Sequence, residues 1–164
     1  MSLESVRAFF AAKAPEYAVI VSDKSSATVA LAAEAFGVAP ELIAKTLSLR
    51  VGDRVVLVVT KGTARLDNKK ARDALGAKPR MLGAEEVVAL TGHPIGGVCP
   101  FGLATPLQVY CDVSLQAFPE VLPAAGSPNS AVRLSPQRMA ELVDAIWVDV
   151  CQDPVMDTAA SAAG

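Results

Sequence analysis

Residues 43–60 read IAKTLSLRVGDRVVLVVT, and this stretch decides the fold. Residues 43–50 and 55–60 form two runs rich in Ile, Leu and Val, separated by the four-residue link VGDR. Extended runs on either side of a short link that contains glycine are typical of a β-hairpin. The sequence therefore predicts a hairpin here, the clearest one in the chain.

Helical and extended patterns alternate through the rest of the chain. The spacing of apolar residues, glycines and prolines predicts helices over 3–14, 28–36, 67–75, 83–91 and 135–143, and strands over 17–21, 107–111, 121–125, 131–134 and 146–150. We therefore expect a mixed α/β fold of the α+β type, with a mixed, largely antiparallel sheet flanked by helices. Residues 1–152 are expected to form a single domain, and the small-residue tail at 153–164 is predicted to be disordered.

The composition excludes several classes of protein. The 164 residues are 52% hydrophobic, enough for one core, but no apolar run reaches the ~18–20 residues of a membrane span. The N-terminal segment carries Glu4 and Arg7 and lacks the long apolar stretch of a signal peptide, so we expect a cytoplasmic protein without membrane contact. The three cysteines form no CxxC pair, which argues against a disulfide framework or a zinc site.

The common catalytic motifs are also missing. His93 is the only histidine, so a metal site with several histidines is impossible, and no GxSxG turn accompanies it. A lone histidine in a loop is more often structural or exposed than catalytic. The GxxxxGK[ST] phosphate loop and a GxGxxG turn after a strand are absent as well. We therefore expect neither a metal nor an organic cofactor.

Lys45 is the first of two features that can bind a small ligand. It lies in ELIAKTLSLR, where it would share a strand face with Ile43 and Leu47, an unfavourable place for a charge. Either the strand starts after Lys45, or its side chain reaches out to water, or it points into a cleft to meet an anionic or carbonyl group. The last interpretation is favoured, because a solvent-facing lysine fits the opposite strand face better.

The second feature is the segment GHPIGGVCPFG at 92–102, called the glycine-rich loop from here on. Its glycines permit a close approach of the backbone, and Pro100 gives the loop a rigid exit. N–H groups in such a loop can hold a carbonyl oxygen, as an oxyanion hole does. An ordinary glycine turn has the same pattern, and on the pattern alone it is the better interpretation.

Positive charge is concentrated between residues 61 and 80, called the basic stretch from here on. Both a solvated helix face and a phosphate-binding patch on an otherwise acidic protein agree with this distribution. The stretch holds seven of the 15 Lys and Arg residues, namely Lys61, Arg65, Lys69, Lys70, Arg72, Lys78 and Arg80.

Three motifs, taken in this order, resemble the YbaK/EbsC family: AKTLSLR at 44–50, GHPIGGVCPFG at 92–102 and AAGSPNSAVRLSP at 124–136. Members are freestanding relatives of the prolyl-tRNA synthetase editing domain, and the resemblance extends over about residues 22–150. It implies a strongly curved mixed sheet and a trans-editing deacylase, which hydrolyses the ester of a small mischarged amino acid such as alanine, serine, cysteine or 2-aminobutyrate. The implied partner is mischarged tRNA, typically tRNA(Pro), with prolyl-tRNA synthetase as a second candidate and no DNA.

The resemblance also implies a set of site residues. Lys45 matches the family's functional lysine, and Gly96, Gly97 and Val98 are expected to supply backbone N–H groups for the ester carbonyl. The basic stretch is expected to contact tRNA through Lys61, Arg65, Lys69, Lys70 and Arg72. The substrate pocket is expected to be lined by Ala27, Thr46, Cys99, Pro100, Phe101, Gly126, Ser127 and Asn129.

Three parts of the sequence depart from branches of the family. Cys99 stands where YbaK tends to have serine, Ser127-Pro128-Asn129 replaces an arginine-rich turn, and Thr46 replaces the asparagine of the alanine-specific branch. The resemblance therefore assigns neither the cysteine-clearing nor the alanine-clearing subgroup. A non-catalytic module that binds tRNA or a synthetase, and a small-metabolite sensor, stay open as alternative functions.

Overall fold

Short helices and strands alternate along the chain, as the sequence predicts. The computed structural model describes residues 2–152, and no helix in this range is long and apolar enough to cross a membrane. The five helices of this range are α1 (Ser2–Lys13), α2 (Val29–Phe36), α3 (Asn68–Leu75), α4 (Ala84–Thr91) and α5 (Pro136–Leu142). The ten strands of this range are β1 (Ile20–Val21), β2 (Ile43–Val51), β3 (Arg54–Lys61), β4 (Arg65–Leu66), β5 (Arg80–Met81), β6 (Gln108–Asp112), β7 (Leu122–Pro123), β8 (Ser130–Ala131), β9 (Ile146–Val148) and β10 (Cys151–Gln152). Short 3₁₀ segments span Pro40–Leu42 and Val113–Ala117.

The predicted hairpin lies in the middle of the main sheet. β2 and β3 pair antiparallel over eight residue pairs, from Ala44 opposite Lys61 to Val51 opposite Arg54. Gly52 begins the turn with a φ of +61°, a left-handed conformation that glycine adopts without strain. The hairpin prediction is confirmed, with each strand one residue longer at the turn than expected.

The sheet is mixed, which confirms the predicted fold class. Its strands lie in the order β5–β2–β3–β6–β9, and β7 pairs with β2 outside this path. β2 is antiparallel to β3 and β5, whereas β7 is parallel to β2, β6 to β3 and β9 to β6. Two further antiparallel pairs join β1 to β8 and β4 to β10.

The central strand β3 is buried on both of its faces. Leu57 and Val59 belong to a hydrophobic cluster that includes α1 and α5, whereas Val56 and Val58 belong to one that includes α3. Alternate residues of a strand point to opposite faces, so β3 separates these two clusters. A third cluster joins α2 to the start of β2 at Ile43, and several of its residues line a pocket.

Local sequence signals set the helix boundaries. The side chains of Thr28, Asp67 and Ser135 accept hydrogen bonds from backbone N–H groups in the first turns of α2, α3 and α5. Such caps satisfy N–H groups that have no partner within the helix. Gly37 and Gly76 end α2 and α3 in left-handed conformations, next to the predicted helix ends at 36 and 75.

Four predicted strands are shorter in the structure. The segments at 17–21 and 121–125 retain only the two-residue strands β1 and β7, and the segment at 146–150 retains the three residues of β9. The segment at 131–134 overlaps β8 at Ala131 alone. Pro123 cannot donate a hydrogen bond to a strand ladder, and this part of the chain pairs through isolated bridges instead. The tail at 153–164 lies outside the described residues.

Candidate functional site

A pocket opens beside the first half of β2. Its volume is about 250 Å³, below the ~300–1,000 Å³ of pockets that hold drug-sized ligands. α2 forms a second wall, and loops from distant parts of the chain close the remainder. Five of the predicted site residues line this pocket, namely Ala27, Lys45, Thr46, Gly96 and Val98.

The glycine-rich loop makes contacts that leave no room for side chains. Gly96 has a φ of +89°, and a Cβ there would lie 2.9 Å from the Cβ of Ala27. A Cβ on Gly97 would lie 2.6 Å from the backbone nitrogen of Ser127, closer than real Cβ atoms approach. The N–H of Gly126 donates a hydrogen bond to the carbonyl oxygen of Gly97 (3.1 Å) and closes this contact. The loop conformation therefore depends on glycine at both positions.

One of the three predicted N–H donors is used within the protein. The N–H of Gly97 donates to the carbonyl oxygen of Pro94 (2.9 Å), so it points into a turn and not toward the pocket. This corrects the role predicted for Gly97. Gly96 and Val98, on either side, both line the pocket, and the role of their N–H groups stays a prediction.

The segment 126–129 connects two loops and does not form the predicted pocket wall. The side-chain amide of Asn129 donates to the carbonyl oxygen of Ser22 (3.0 Å), and the N–H of Ser22 donates back to the carbonyl of Asn129 (2.8 Å). The hydroxyl of Ser127 donates to Oδ1 of Asn129 (2.8 Å). Gly126, Ser127 and Asn129 are not among the residues that line the pocket, and the substrate contacts predicted for them stay a prediction. From the same part of the chain, the pocket is lined by Ala124, Ser130 and Ala131.

Three further residues predicted in the pocket belong to the core. Phe101 is fully buried, and its ring centroid lies 5.5 Å from that of Phe9 and 4.7 Å from that of Phe10. Cys99 is fully buried as well, and Pro100 is buried between them. These three side chains pack inside the protein and do not line the pocket, which corrects their predicted role.

His93 supports the glycine-rich loop from the inside. Its ring is fully buried, and Nε2 lies 2.7 Å from the carbonyl oxygen of Phe101. A carbonyl can only accept, so Nε2 carries the proton and Nδ1 accepts a hydrogen bond from the hydroxyl of Ser2. Burial lowers the pKa of His93, although the bond to Phe101 opposes this shift. The neutral ring therefore joins both ends of the loop to the start of α1.

The described residues offer neither a Cys–His nucleophile nor a metal site. The Sγ of Cys99 lies 3.5 Å from Nε2 of His93, but that nitrogen already donates to a carbonyl. Burial raises the pKa of Cys99 to about 12, so its thiol stays protonated near neutral pH. Within residues 2–152, no three His, Cys, Asp or Glu residues are grouped so that they could hold a metal ion.

Lys45 lines the pocket and is oriented by a backbone carbonyl. β2 begins at Ile43, which excludes the alternative that the strand starts after Lys45. The ammonium group donates to the carbonyl oxygen of Ala64 (2.6 Å), in the turn that follows β3. Burial lowers the pKa of Lys45, and the positive charge of Arg65 adds to this effect. Because an ammonium group has three N–H donors, the bond to Ala64 orients it without exhausting its capacity to bind a ligand.

The basic stretch is only partly available to a polyanion. The ammonium of Lys70 contacts Oδ1 of Asp149 and the carbonyl oxygen of Cys151, both at 3.2 Å, so it acts within the protein. The other predicted tRNA contacts lie on β3, β4 and α3, where they are exposed or half-buried: Lys61, Arg65, Lys69 and Arg72.

On one side of the pocket, the sequence indicated only Ala27. The loop before α2 contributes Ser26, and α2 itself contributes Val29, Ala32 and Phe36. In the sequence, the serine resembles part of a helix start and the apolar residues resemble ordinary core. Helical periodicity shows which face of α2 is apolar, but not that part of this face borders a cavity.

The sequence and the fold together identify the class of protein. Residues 23–142 match the profile of the family described as aminoacyl-tRNA editing domain. The match spans well over half of the chain, and the chain therefore belongs to the aminoacyl-tRNA editing domain family.

Individual relatives agree with this family. YwhH of Bacillus subtilis (strain 168), an uncharacterised protein, is 52% identical over 155 residues, which cover 93% of this chain and 99% of YwhH. EbsC of Enterococcus faecalis, a candidate Cys-tRNA(Pro)/Cys-tRNA(Cys) deacylase, is 29% identical over 121 residues, 72% of this chain and 73% of EbsC. The crystal structure of a candidate trans-editing enzyme for prolyl-tRNA synthetase matches with a TM-score of 0.86 and 33% identity, and the match covers 92% of this chain and 97% of that one. The predicted resemblance is confirmed.

The contact between Gly97 and Ser127 predicts a steric effect of substitution. Gly97→Ala places a methyl group against the backbone of Ser127, so the two loops must separate, and we expect a loss of roughly 1–3 kcal/mol in the free energy of unfolding. Chemical denaturation measures this loss. Gly83→Ala is the matched control, because a Cβ there meets nothing within 4 Å. Equal stabilities of the two variants would contradict the close contact.

The buried His93 predicts a pH dependence of stability. Its pKa in the folded protein is lower than the ordinary 6.5, so the unfolded chain binds more protons as the pH falls below that value. The contribution of His93 to stability is therefore complete above about pH 6.5 and is lost at lower pH. Between about pH 7.5 and about pH 5.5, the free energy of unfolding should fall more for the wild type than for His93→Gln. Chemical denaturation at the two pH values measures this fall. The chain has a single histidine, so identical falls would refute the assignment.

Proposed function

We propose that this protein is a trans-editing aminoacyl-tRNA deacylase, which hydrolyses the ester between a small mischarged amino acid and tRNA, with tRNA(Pro) as the expected carrier. The observation that carries the proposal is a pocket of about 250 Å³ bordered by Gly96, Val98 and Lys45. Membership of the editing-domain family supports it, and two of the relatives are described in terms of tRNA(Pro) or prolyl-tRNA synthetase. Prolyl-tRNA synthetase is the second proposed partner, and the cytoplasm the proposed location.

The proposed reaction is ester hydrolysis without a protein nucleophile. Water attacks the ester carbon, the bond to the ribose oxygen breaks, and that oxygen takes up a proton, which leaves a free amino acid and tRNA. The N–H groups of Gly96 and Val98 hold the carbonyl oxygen while it gains negative charge. Lys45 anchors the terminal phosphate or the carbonyl group. The terminal 2′-hydroxyl of the tRNA or the substrate itself assists the attacking water.

The basic stretch is proposed to contact the acceptor stem of the tRNA. Arg65 directly follows Ala64, whose carbonyl binds the ammonium of Lys45, so this end of the stretch lies beside the pocket. Lys69 and Arg72 continue the exposed positive charge along α3. A nucleic acid whose terminal ester enters the pocket would therefore place phosphates near these side chains.

Removal of the Lys45 ammonium should slow deacylation. We expect the protein to clear at least one of alanine, serine, cysteine or 2-aminobutyrate from tRNA(Pro) faster than buffer, and Lys45→Ala to lower kcat/KM by roughly 10²-fold or more. Lys13→Ala, on α1, is the control and should retain full activity. Because Lys45 also bonds to Ala64, the free energy of unfolding is measured alongside the rates.

Two outcomes would contradict this mechanism. If Lys45→Ala clears the charged tRNA as fast as the wild type does, Lys45 has no role in the proposed mechanism. If no charged tRNA is cleared although tRNA still binds, the protein is the non-catalytic binding module.

The basic stretch predicts salt-dependent binding of tRNA. Each phosphate contact that is lost should reduce the slope of log affinity against log salt by about 1. We therefore expect Lys69→Glu and Arg72→Glu to weaken binding and flatten this slope, as measured by filter binding or fluorescence anisotropy. Lys13→Glu makes the same charge change on α1, which packs in a different core cluster from α3. Affinity that is independent of salt, or an equal loss in Lys13→Glu, would exclude the basic stretch as the interface.

A further inference from the structure

The turn that follows β3, at residues 61–64, holds the ammonium group of Lys45. The carbonyl oxygen of Ala64 accepts a hydrogen bond from this ammonium (2.6 Å), and Ala64 itself is buried. The backbone N–H of Ala64 donates to the carbonyl oxygen of Lys61 (3.0 Å), and this bond closes the turn. The position of the ammonium therefore depends on where the turn lies.

Gly62, the second residue of this turn, packs directly against the backbone of another part of the chain. A Cβ on Gly62 would lie 2.4 Å from the carbonyl oxygen of Pro40 and 2.9 Å from that of Ile43, closer than real Cβ atoms approach. It would also lie 3.0 Å from Cγ1 of Val29. Val29 and Ile43 line the pocket, so the turn rests against two elements that form its wall. Only glycine allows the turn to lie this close.

Thr60 connects the turn to the strand that carries Lys45. The two residues lie opposite each other in the hairpin, where the Cβ atoms of a cross-strand pair are about 4.5–5.5 Å apart. Thr60 is fully buried, and its hydroxyl donates to the carbonyl oxygen of Lys61 (3.2 Å). The same carbonyl accepts the bond from Ala64 that closes the turn. Thr60 therefore fixes the first residue of the turn beside Lys45.

We propose that Gly62 and Thr60 are positioning residues for Lys45, which set the place of its ammonium by fixing the turn at 61–64. This inference rests on the proposed deacylase function, in which Lys45 anchors the substrate. A lysine carries its charge on a flexible four-carbon stem, so an external partner must hold the ammonium in one place. The carbonyl of Ala64 is that partner, and Gly62 and Thr60 fix the carbonyl.

A double-mutant cycle tests whether Gly62 acts through Lys45. Gly62→Ala forces the turn away from Pro40, and a misplaced group in an active site costs up to about 10²-fold in rate, so we expect kcat/KM to fall by roughly 10–100-fold. In the Lys45→Ala background the same change should have little further effect, because no ammonium is left to misplace. Gly83→Ala is the matched control and should keep the wild-type rate, since a Cβ there meets nothing within 4 Å.

Thr60 offers a second pair of variants that hardly change the size of the side chain. Thr60→Val replaces the hydroxyl by a methyl group, and we expect it to lower kcat/KM by up to about tenfold. Thr60→Ser keeps the hydroxyl and should retain most of the activity. Circular dichroism shows whether each variant is folded, and the Thr60 pair tests the inference even if Gly62→Ala does not fold.

The pKa of Lys45 gives a measurement that needs no enzymatic activity. NMR titration of lysine-labelled protein follows this pKa, and the signal of Lys45 is the one that Lys45→Ala lacks. In Gly62→Ala and Thr60→Val the pKa should leave its wild-type value, downward if the ammonium stays buried without the Ala64 carbonyl and upward if it reaches water. Gly83→Ala should leave it unchanged.

Three outcomes separate the possibilities. Additive losses of Gly62→Ala and Lys45→Ala in the cycle would overturn the inference, because Gly62 would then act independently of Lys45. An unchanged pKa of Lys45 in both Gly62→Ala and Thr60→Val would overturn it as well. If the wild type clears no aminoacyl-tRNA, the proposed function fails, and the pKa comparison still decides whether the turn positions Lys45.

Discussion

The shape of the pocket depends on one contact between two stretches of backbone. A Cβ on Gly97 would lie 2.6 Å from the nitrogen of Ser127, so the two backbone segments approach too closely for a side chain. The hydrogen bond from the N–H of Gly126 to the carbonyl oxygen of Gly97 holds the segments together. The N–H of Ser26 bonds in turn to the carbonyl oxygen of Pro128, so three separate loops form one unit. Main-chain atoms define this unit, and close-packed main-chain contacts cannot absorb even a methyl group without movement.

The side of the glycine-rich loop that faces away from the pocket is stabilised by buried polar groups. His93 bonds to Phe101 and Ser2, and these partners offset the cost of burying its ring. The same desolvation that keeps His93 neutral keeps Cys99 protonated. His93 and Cys99 therefore contribute to the structure of the loop and are not a nucleophile pair.

Lys45 connects the pocket to the positively charged surface. Its side chain starts on the central hairpin, lines the pocket and ends on the carbonyl of Ala64, directly before Arg65. Lys45 thus links a residue of the pocket wall to the turn at the start of the basic stretch. The number of basic residues in the sequence overestimates the positive charge of this surface. The ammonium of Lys70, for example, pairs with the carboxylate of Asp149.

Features that depend on neighbouring residues were determined by the sequence alone. The hairpin at 43–60, the helix starts at Asp67 and Ser135 and the ordered motifs that identify the family belong to this group, because strand alternation and helix capping act over a few residues. The tertiary structure alone decided which atoms of the glycine-rich loop face a ligand. The N–H of Gly97 turns inward and Phe101 packs into the core, although both belong to the motif that predicted the site. Phe101 packs against Phe9 and Phe10, and His93 bonds to Ser2 across 91 positions. No local sequence pattern specifies contacts over such distances.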